Sequence, residues 1–183
     1  MPRINPIDPQ AAEGKARTLL EAVHEKFGMT PNITATLAQS PAALEGYLGL
    51  SGALAGGSLG ATLREQIALA VAGASGCGYC ASAHTAIGRS VGLDDEELGA
   101  NLRGTAREPR AQSALDFALA VVEQRGWVSD EDLQRVRDAG FDDGEITEIV
   151  ANVAQNLFTN YFNHVAGTDV DFPPVEVPQP RLV

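Results

Sequence analysis

A chain of 183 residues with 44% apolar side chains can bury a core of its own, which excludes a disordered polypeptide. Its formal net charge of −11 excludes nucleic acid and anionic membrane surfaces as partners. The first residues hold no basic region followed by an apolar run, and no stretch reaches the roughly 20 apolar residues of a membrane span, so a cytoplasmic protein is expected.

In chain order the punctuation reads as helix starts and stops. Asp8-Pro9 supplies a cap and a first-turn proline for a helix over about Gln10 to Phe27. Thr30-Pro31 and Ser40-Pro41 repeat the signature, opening a short helix and then a longer one through Leu54. Gly56, Gly57 and Gly60 break the chain. Thr62-Leu63-Arg64-Glu65 fits a capping box for an apolar helix, Ile67 to Ala74. A break at Ala74-Ser75-Gly76 separates it from a second helix, Cys77 to Val91, which Gly92 stops.

Asp94-Asp95-Glu96-Glu97 opens a short helix whose acidic first turn suits the helix dipole. Ala111 to Gln124 carries Ala114, Leu115, Ala118, Leu119 and Val122 at core spacing. Trp127 is expected to plug a gap between helices. Ser129 caps Asp130 to Ala139, and Asp143 caps a long helix reaching about Val165. The proline-spaced tail, about 168–183, is expected to be extended and free to strap across a neighbour. No alternation marks a strand, and no linker divides the chain. The expected architecture is one all-α bundle over 1–183 with about seven to nine helices.

Two cysteines in a reducing compartment point to redox or metal chemistry rather than to a staple. Cys77, Cys80 and His84 stand at i, i+3 and i+7 of one helix, hence on one stripe. Cα atoms three apart in a helix lie roughly 5 to 6 Å from each other, within disulfide reach. In the first turn the dipole and free N–H groups favour a thiolate. His84, one turn beyond Cys80, is placed to take a proton from that sulfur. The plainer alternative is a polar residue tolerated on a core-facing stripe, since the stripe continues through Ile87 and Val91. Two cysteines on the same stripe favour the functional reading.

Glu65 has an ordinary role available as the third helical residue after a Thr62 cap. A hairpin gives it another. In antiparallel helices, residues level with each other have a constant sum, and the midpoint of Glu65 and His84 falls inside the Ala74-Ser75-Gly76 break. The carboxylate would then face the imidazole and fix its tautomer. An unbroken helix would instead set Glu65 about 18 Å from Cys77.

The segment Leu63-Arg64-Glu65-Gln66 through Cys77-Gly78-Tyr79-Cys80 to His84-Thr85-Ala86 resembles the alkylhydroperoxidase D-like branch of the carboxymuconolactone decarboxylase superfamily. That pattern is a glutamate, a CxxC, and a histidine four residues after the second cysteine, and all its elements stand here at its spacing. The end of the long helix, Asn160-Tyr161-Phe162-Asn163-His164, and the following Val170-Asp171-Phe172-Pro173 are similar to peroxidase-related members. The resemblance therefore covers most of the chain.

The resemblance implies an all-helical homo-oligomer, a trimer or hexamer, that reduces a hydroperoxide with a cysteine pair cycling between dithiol and disulfide. Cys80 matches the attacking cysteine, which becomes a sulfenic acid, and Cys77 the one that resolves it. Glu65 and His84 match the proton relay. No bound cofactor is implied. An external dithiol donor must re-reduce the pair, and in the family that donor can be a lipoylated protein. Helix-terminus logic alone would make Cys77 the more acidic and exposed thiol; the nearness of His84 favours Cys80. One position departs from the pattern. The best-studied branch has a second histidine where this chain has Tyr79, and a phenol is a poor base at neutral pH. The founding decarboxylase activity does not depend on a CxxC pair and is the weaker expectation.

A zinc site is the rival reading, with Cys77, Cys80 and His84 as ligands and His164 or Glu65 as the fourth. Three ligands crowded on one helix argue against it. A non-catalytic oligomeric protein of the same fold is the third reading. His164 is a candidate accessory residue, although the end of a helix is also an ordinary surface place for a histidine. His24 reads as surface. Gly56 to Gly60 is no phosphate loop, because no lysine follows and no strand precedes.

Overall fold

Gln66 to Ser75 has almost no polar side to offer solvent, and a helix apolar all round must lie inside a bundle. In the computed structural model, which describes residues 1–177 and Gln179, every residue of this run is buried. Around it the described residues form nine helices and no strand: α1 (Gly14–Phe27), α2 (Asn32–Leu37), α3 (Pro41–Ala55), α4 (Ala61–Ser75), α5 (Gly78–Ser90), α6 (Asp95–Leu102), α7 (Pro109–Glu123), α8 (Asp130–Asp138) and α9 (Asp143–Ala166). The all-α expectation holds. None of the described helices is long and apolar enough to cross a membrane.

The central helix α4 packs against α5, α6, α7 and α9. Its two sides serve two cores. Leu69 and Ala72 join Leu20, Leu37, Leu44 and Ala81 in one cluster; Ile67, Ala70, Val71 and Ala74 join Leu115, Ile149 and Val153 in the other. Small side chains make these close approaches feasible. At Gly73 the backbones of α4 and α6 lie so near that a Cβ would collide with the Leu102 carbonyl oxygen.

That contact reverses an ordinary rule. Glycine to alanine inside a helix normally stabilises by about 1 kcal/mol. Gly73→Ala is expected to destabilise instead, by about 2 kcal/mol, because backbone rather than a flexible side chain must move. Denaturant unfolding checks the sign; a higher midpoint would mean the two helices part easily.

Several local expectations are corrected. The first helix starts at Gly14, not near Gln10. Asp8 Oδ1 accepts the Gln10 N–H at 2.9 Å and its carbonyl takes the Ala11 N–H, so Asp8-Pro9 makes a turn instead of a cap. The Thr62 capping box does not form. The helix begins at Ala61 with Gly60 as its cap, two residues earlier, and the Thr62 hydroxyl donates to the Val91 carbonyl at the end of α5, 3.2 Å away. The cap of α9 is Asp142 rather than Asp143, in a reciprocal pair with Glu145. Trp127 is 85% exposed, and the cluster between α7 and α8 takes Val128 and Leu133 in its place.

The tail straps its own chain. Asp171 Oδ2 accepts the Asn32 N–H at 2.6 Å, and Ser82 Oγ accepts the Val175 N–H at 3.2 Å. Phe172, Val175 and Val177 pack onto the first core. Residues 178 and 180–183 of the expected tail lie outside the described residues. At the other terminus the N–H groups of Arg3 and Ile4 donate to the Ala166 carbonyl, closing the last turn of α9.

Candidate active site

The site is set by how α4 ends. Gly76 takes the left-handed conformation, φ 68°, while its N–H donates to the Gly73 carbonyl and the Cys77 N–H to that of Ala72. This pair of bonds is a Schellman closure, which satisfies carbonyls otherwise left open and turns the chain sharply. α5 therefore starts at once and returns along α4. Cys77 becomes its N-cap, with Sγ accepting the Cys80 N–H at 3.3 Å.

The tight return brings the expected residues together. Cys77 and Cys80 are joined as a disulfide, their Cα atoms 5.3 Å apart. Across the hairpin Glu65 Oε2 meets His84 Nδ1 at 2.8 Å, the contact that the midpoint count requires. Both side chains are about four-fifths buried, at 17% and 20% exposure, so their attraction is screened less than that of a surface pair. Since Thr62 is not a cap, Glu65 has no capping duty.

A cavity of about 280 Å³ opens beside the disulfide. Cys80 and His84 line one wall; Phe27, Ile33, Tyr47 and Phe172 make much of the rest. Cys77 does not reach it. Tyr79 also lines the cavity, its ring edge-on to Phe172 with centroids 5.8 Å apart. Burial pushes the Tyr79 phenol far above its ordinary value, outweighing the opposing Ile33 N–H bond, and the nearby Asp171 pushes the same way. The phenol stays neutral and cannot act as the missing base. Its oxygen instead accepts the Ile33 N–H at 3.2 Å, tying α2 to α5. Burial and then the charge of Glu65 push the Tyr47 phenol up as well.

His164 is not brought in. It is exposed on α9 and absent from the cavity wall. Its neighbour Asn163 is buried, lines the cavity, and donates from Nδ2 to Cys80 Sγ at 3.3 Å. The sequence carries a faint sign of this. Asn152, Asn156, Asn160 and Asn163 recur at helical spacing on the buried face of α9. Among the described residues, no group of three or more His, Cys, Asp or Glu is arranged to hold a metal ion.

Residues 41–124, which span α3 to α7, match the sequence profile of the Carboxymuconolactone decarboxylase family. No curated protein matches the chain. Among solved structures, the chain is similar to a peroxidase-related protein with an alkylhydroperoxidase AhpD core from Ralstonia eutropha. That likeness has a TM-score of 0.82 and 28% identity, over 93% of this chain and 92% of that one. A peroxidase-related protein from a Silicibacter species shares the fold at TM-score 0.78 and 23% identity, covering 94% and 93%. The debrominase Bmp8, solved with bound 2,3,4-tribromopyrrole, shares it at TM-score 0.78 and 19% identity, covering 92% and 91%. The family segment encloses the CxxC hairpin, and the helical architecture of the AhpD-core structure runs through most of the chain, so the protein is similar to the alkylhydroperoxidase D-like branch of the carboxymuconolactone decarboxylase superfamily.

Proposed function

We propose that the protein is a thiol-dependent hydroperoxide reductase in which Cys77 and Cys80 cycle between dithiol and disulfide. The observation that carries this reading is the placement of Cys80 and His84 on one cavity wall, with Glu65 holding the imidazole from behind.

The steps balance with an external dithiol as the reductant. With Glu65 on Nδ1, the free ring nitrogen takes the Cys80 thiol proton. The thiolate attacks the terminal peroxide oxygen, the O–O bond breaks, and Cys80 becomes a sulfenic acid. The departing alkoxide takes the proton back from His84 and leaves as an alcohol. Cys77 then attacks the Cys80 sulfur, water leaves, and the disulfide forms. Two thiol–disulfide exchanges with the external dithiol return the electrons. An apolar wall of Phe27, Ile33 and Phe172 favours an organic hydroperoxide over hydrogen peroxide. The exposed Val150, Phe158, Tyr161 and Val165 of α9 offer apolar surface that a homo-oligomer would cover.

Thiol counting by mass spectrometry tests the reading. In the reduced protein both thiols are expected to vanish after a pulse of cumene hydroperoxide and to return with dithiothreitol. Thiols that survive the pulse would overturn it. Stoichiometric zinc in protein purified under reducing conditions would support the metal-site rival instead.

A further inference from the structure

Cys80 has a hydrogen-bond donor that the cycle above does not use. Asn163, in the last turn of α9, directs Nδ2 at Cys80 Sγ, and the two residues are 5% and 3% exposed. A sulfur already bonded in a disulfide is a weak acceptor. Asn160, one turn earlier, shows what a structural amide does in this core. Its Nδ2 joins the Val71 carbonyl and Ser75 Oγ, stitching α9 to α4. The buried Oδ1 of both amides has no partner among the described residues, so they differ in what Nδ2 meets: the one hydrogen bond seen for the Asn163 side chain is to sulfur. The oxidised protein therefore gives little reason to aim a buried donor at Cys80.

The reduced protein supplies the reason. We propose that Asn163 is a catalytic residue that holds Cys80 as a thiolate, and so makes Cys80 rather than Cys77 the attacking sulfur. A hydrogen bond to an ionised acceptor is about twice as strong as one to a neutral acceptor. The N–H that does little for the disulfide therefore binds the thiolate well, both groups being nearly buried. The titratable groups around Cys80 are Cys77, Tyr79 and His84 on α5, with Glu65 of α4 behind His84. Tyr47 of α3 and Lys26 of α1 face it across the cavity, and Asp171 of the tail stands beside Tyr79. Tyr79 is held neutral by burial. Asn163 adds a neutral, pH-independent donor from α9. Only the name of the electrophile rests on the peroxide reading.

The test uses the Cys77→Ser protein, in which Cys80 is the sole thiol. Iodoacetamide alkylation is followed against pH by mass spectrometry. Asn163→Ala and the similarly sized Asn163→Leu are expected to raise the alkylation midpoint by roughly one to two pH units. Asn163→Asp, which keeps the shape but puts a like charge beside the sulfur, is expected to raise it at least as far. Should the apolar variants not fold, Asn163→Ser keeps a hydroxyl donor and is expected to fall between the parent and Asn163→Asp. A purely structural or steric role would change the plateau rate of alkylation and leave the midpoint in place. Folded variants with an unmoved midpoint would overturn the proposal. Alkylation needs no peroxide, so a protein inert to peroxide that still shows the shift sinks the reductase reading alone. Turnover with no shift sinks this one alone.

Discussion

Cys80→Ser is expected to reduce peroxide turnover to background, a loss on the order of 1,000-fold or more. Cys77→Ser is expected to consume one equivalent of peroxide and stop as a sulfenic acid that a dimedone-type probe traps. The difference follows from position. Cys80 lines the cavity and Cys77 does not. Cys77 sits behind it as the N-cap of α5, within disulfide reach, its Sγ already accepting the Cys80 N–H. A serine hydroxyl at Cys80 is far too weak a nucleophile at neutral pH to replace a thiolate. Labelling confined to Cys77, with turnover intact in Cys80→Ser, would reverse the two roles.

The hairpin was legible because everything that builds it is local. A glycine free to adopt a positive φ, a CxxC beginning straight after it, and a Glu–His pair equidistant from the turn all lie within about one helical hairpin of sequence. Capping was less legible for a physical reason. Thr62 satisfies the sequence pattern, but its hydroxyl finds the Val91 carbonyl of another helix, and a tertiary partner overrides the local one. Trp127 misled because a large aromatic side chain is read as core by habit. It follows Arg125 and Gly126, both at positive φ, in a turn that leaves it in solvent.

What the sequence hid is the rest of the cavity. Its walls come from α1, α2, α3, α9 and the tail, brought together only by packing on α4 and α5. Asn163 is the clearest case. It lies 83 residues from the sulfur it touches, and no helical period in α9 says which of its amides will face α5. A stripe of asparagines on an otherwise apolar face was the available sign. It marks buried polar groups that must find partners, without saying that one partner is a reacting atom.

The proton relay predicts the second large effect. His84→Gln is expected to lower turnover by about 100- to 10,000-fold, the usual range for loss of a positioned general base. Glu65→Gln is expected to lower it less, by roughly 10- to 100-fold, because the imidazole survives and loses only the partner that orients it. The informative quantity is the double variant. If Glu65 acts through the 2.8 Å contact with His84, removing both side chains should do no more harm than removing His84 alone. Raising the pH should recover part of the activity of His84→Gln, since hydroxide can then deprotonate the thiol. Losses that instead multiply would mean that Glu65 works by another route. The neighbouring Tyr47 phenol, which already senses its charge, is the group through which such a route would run.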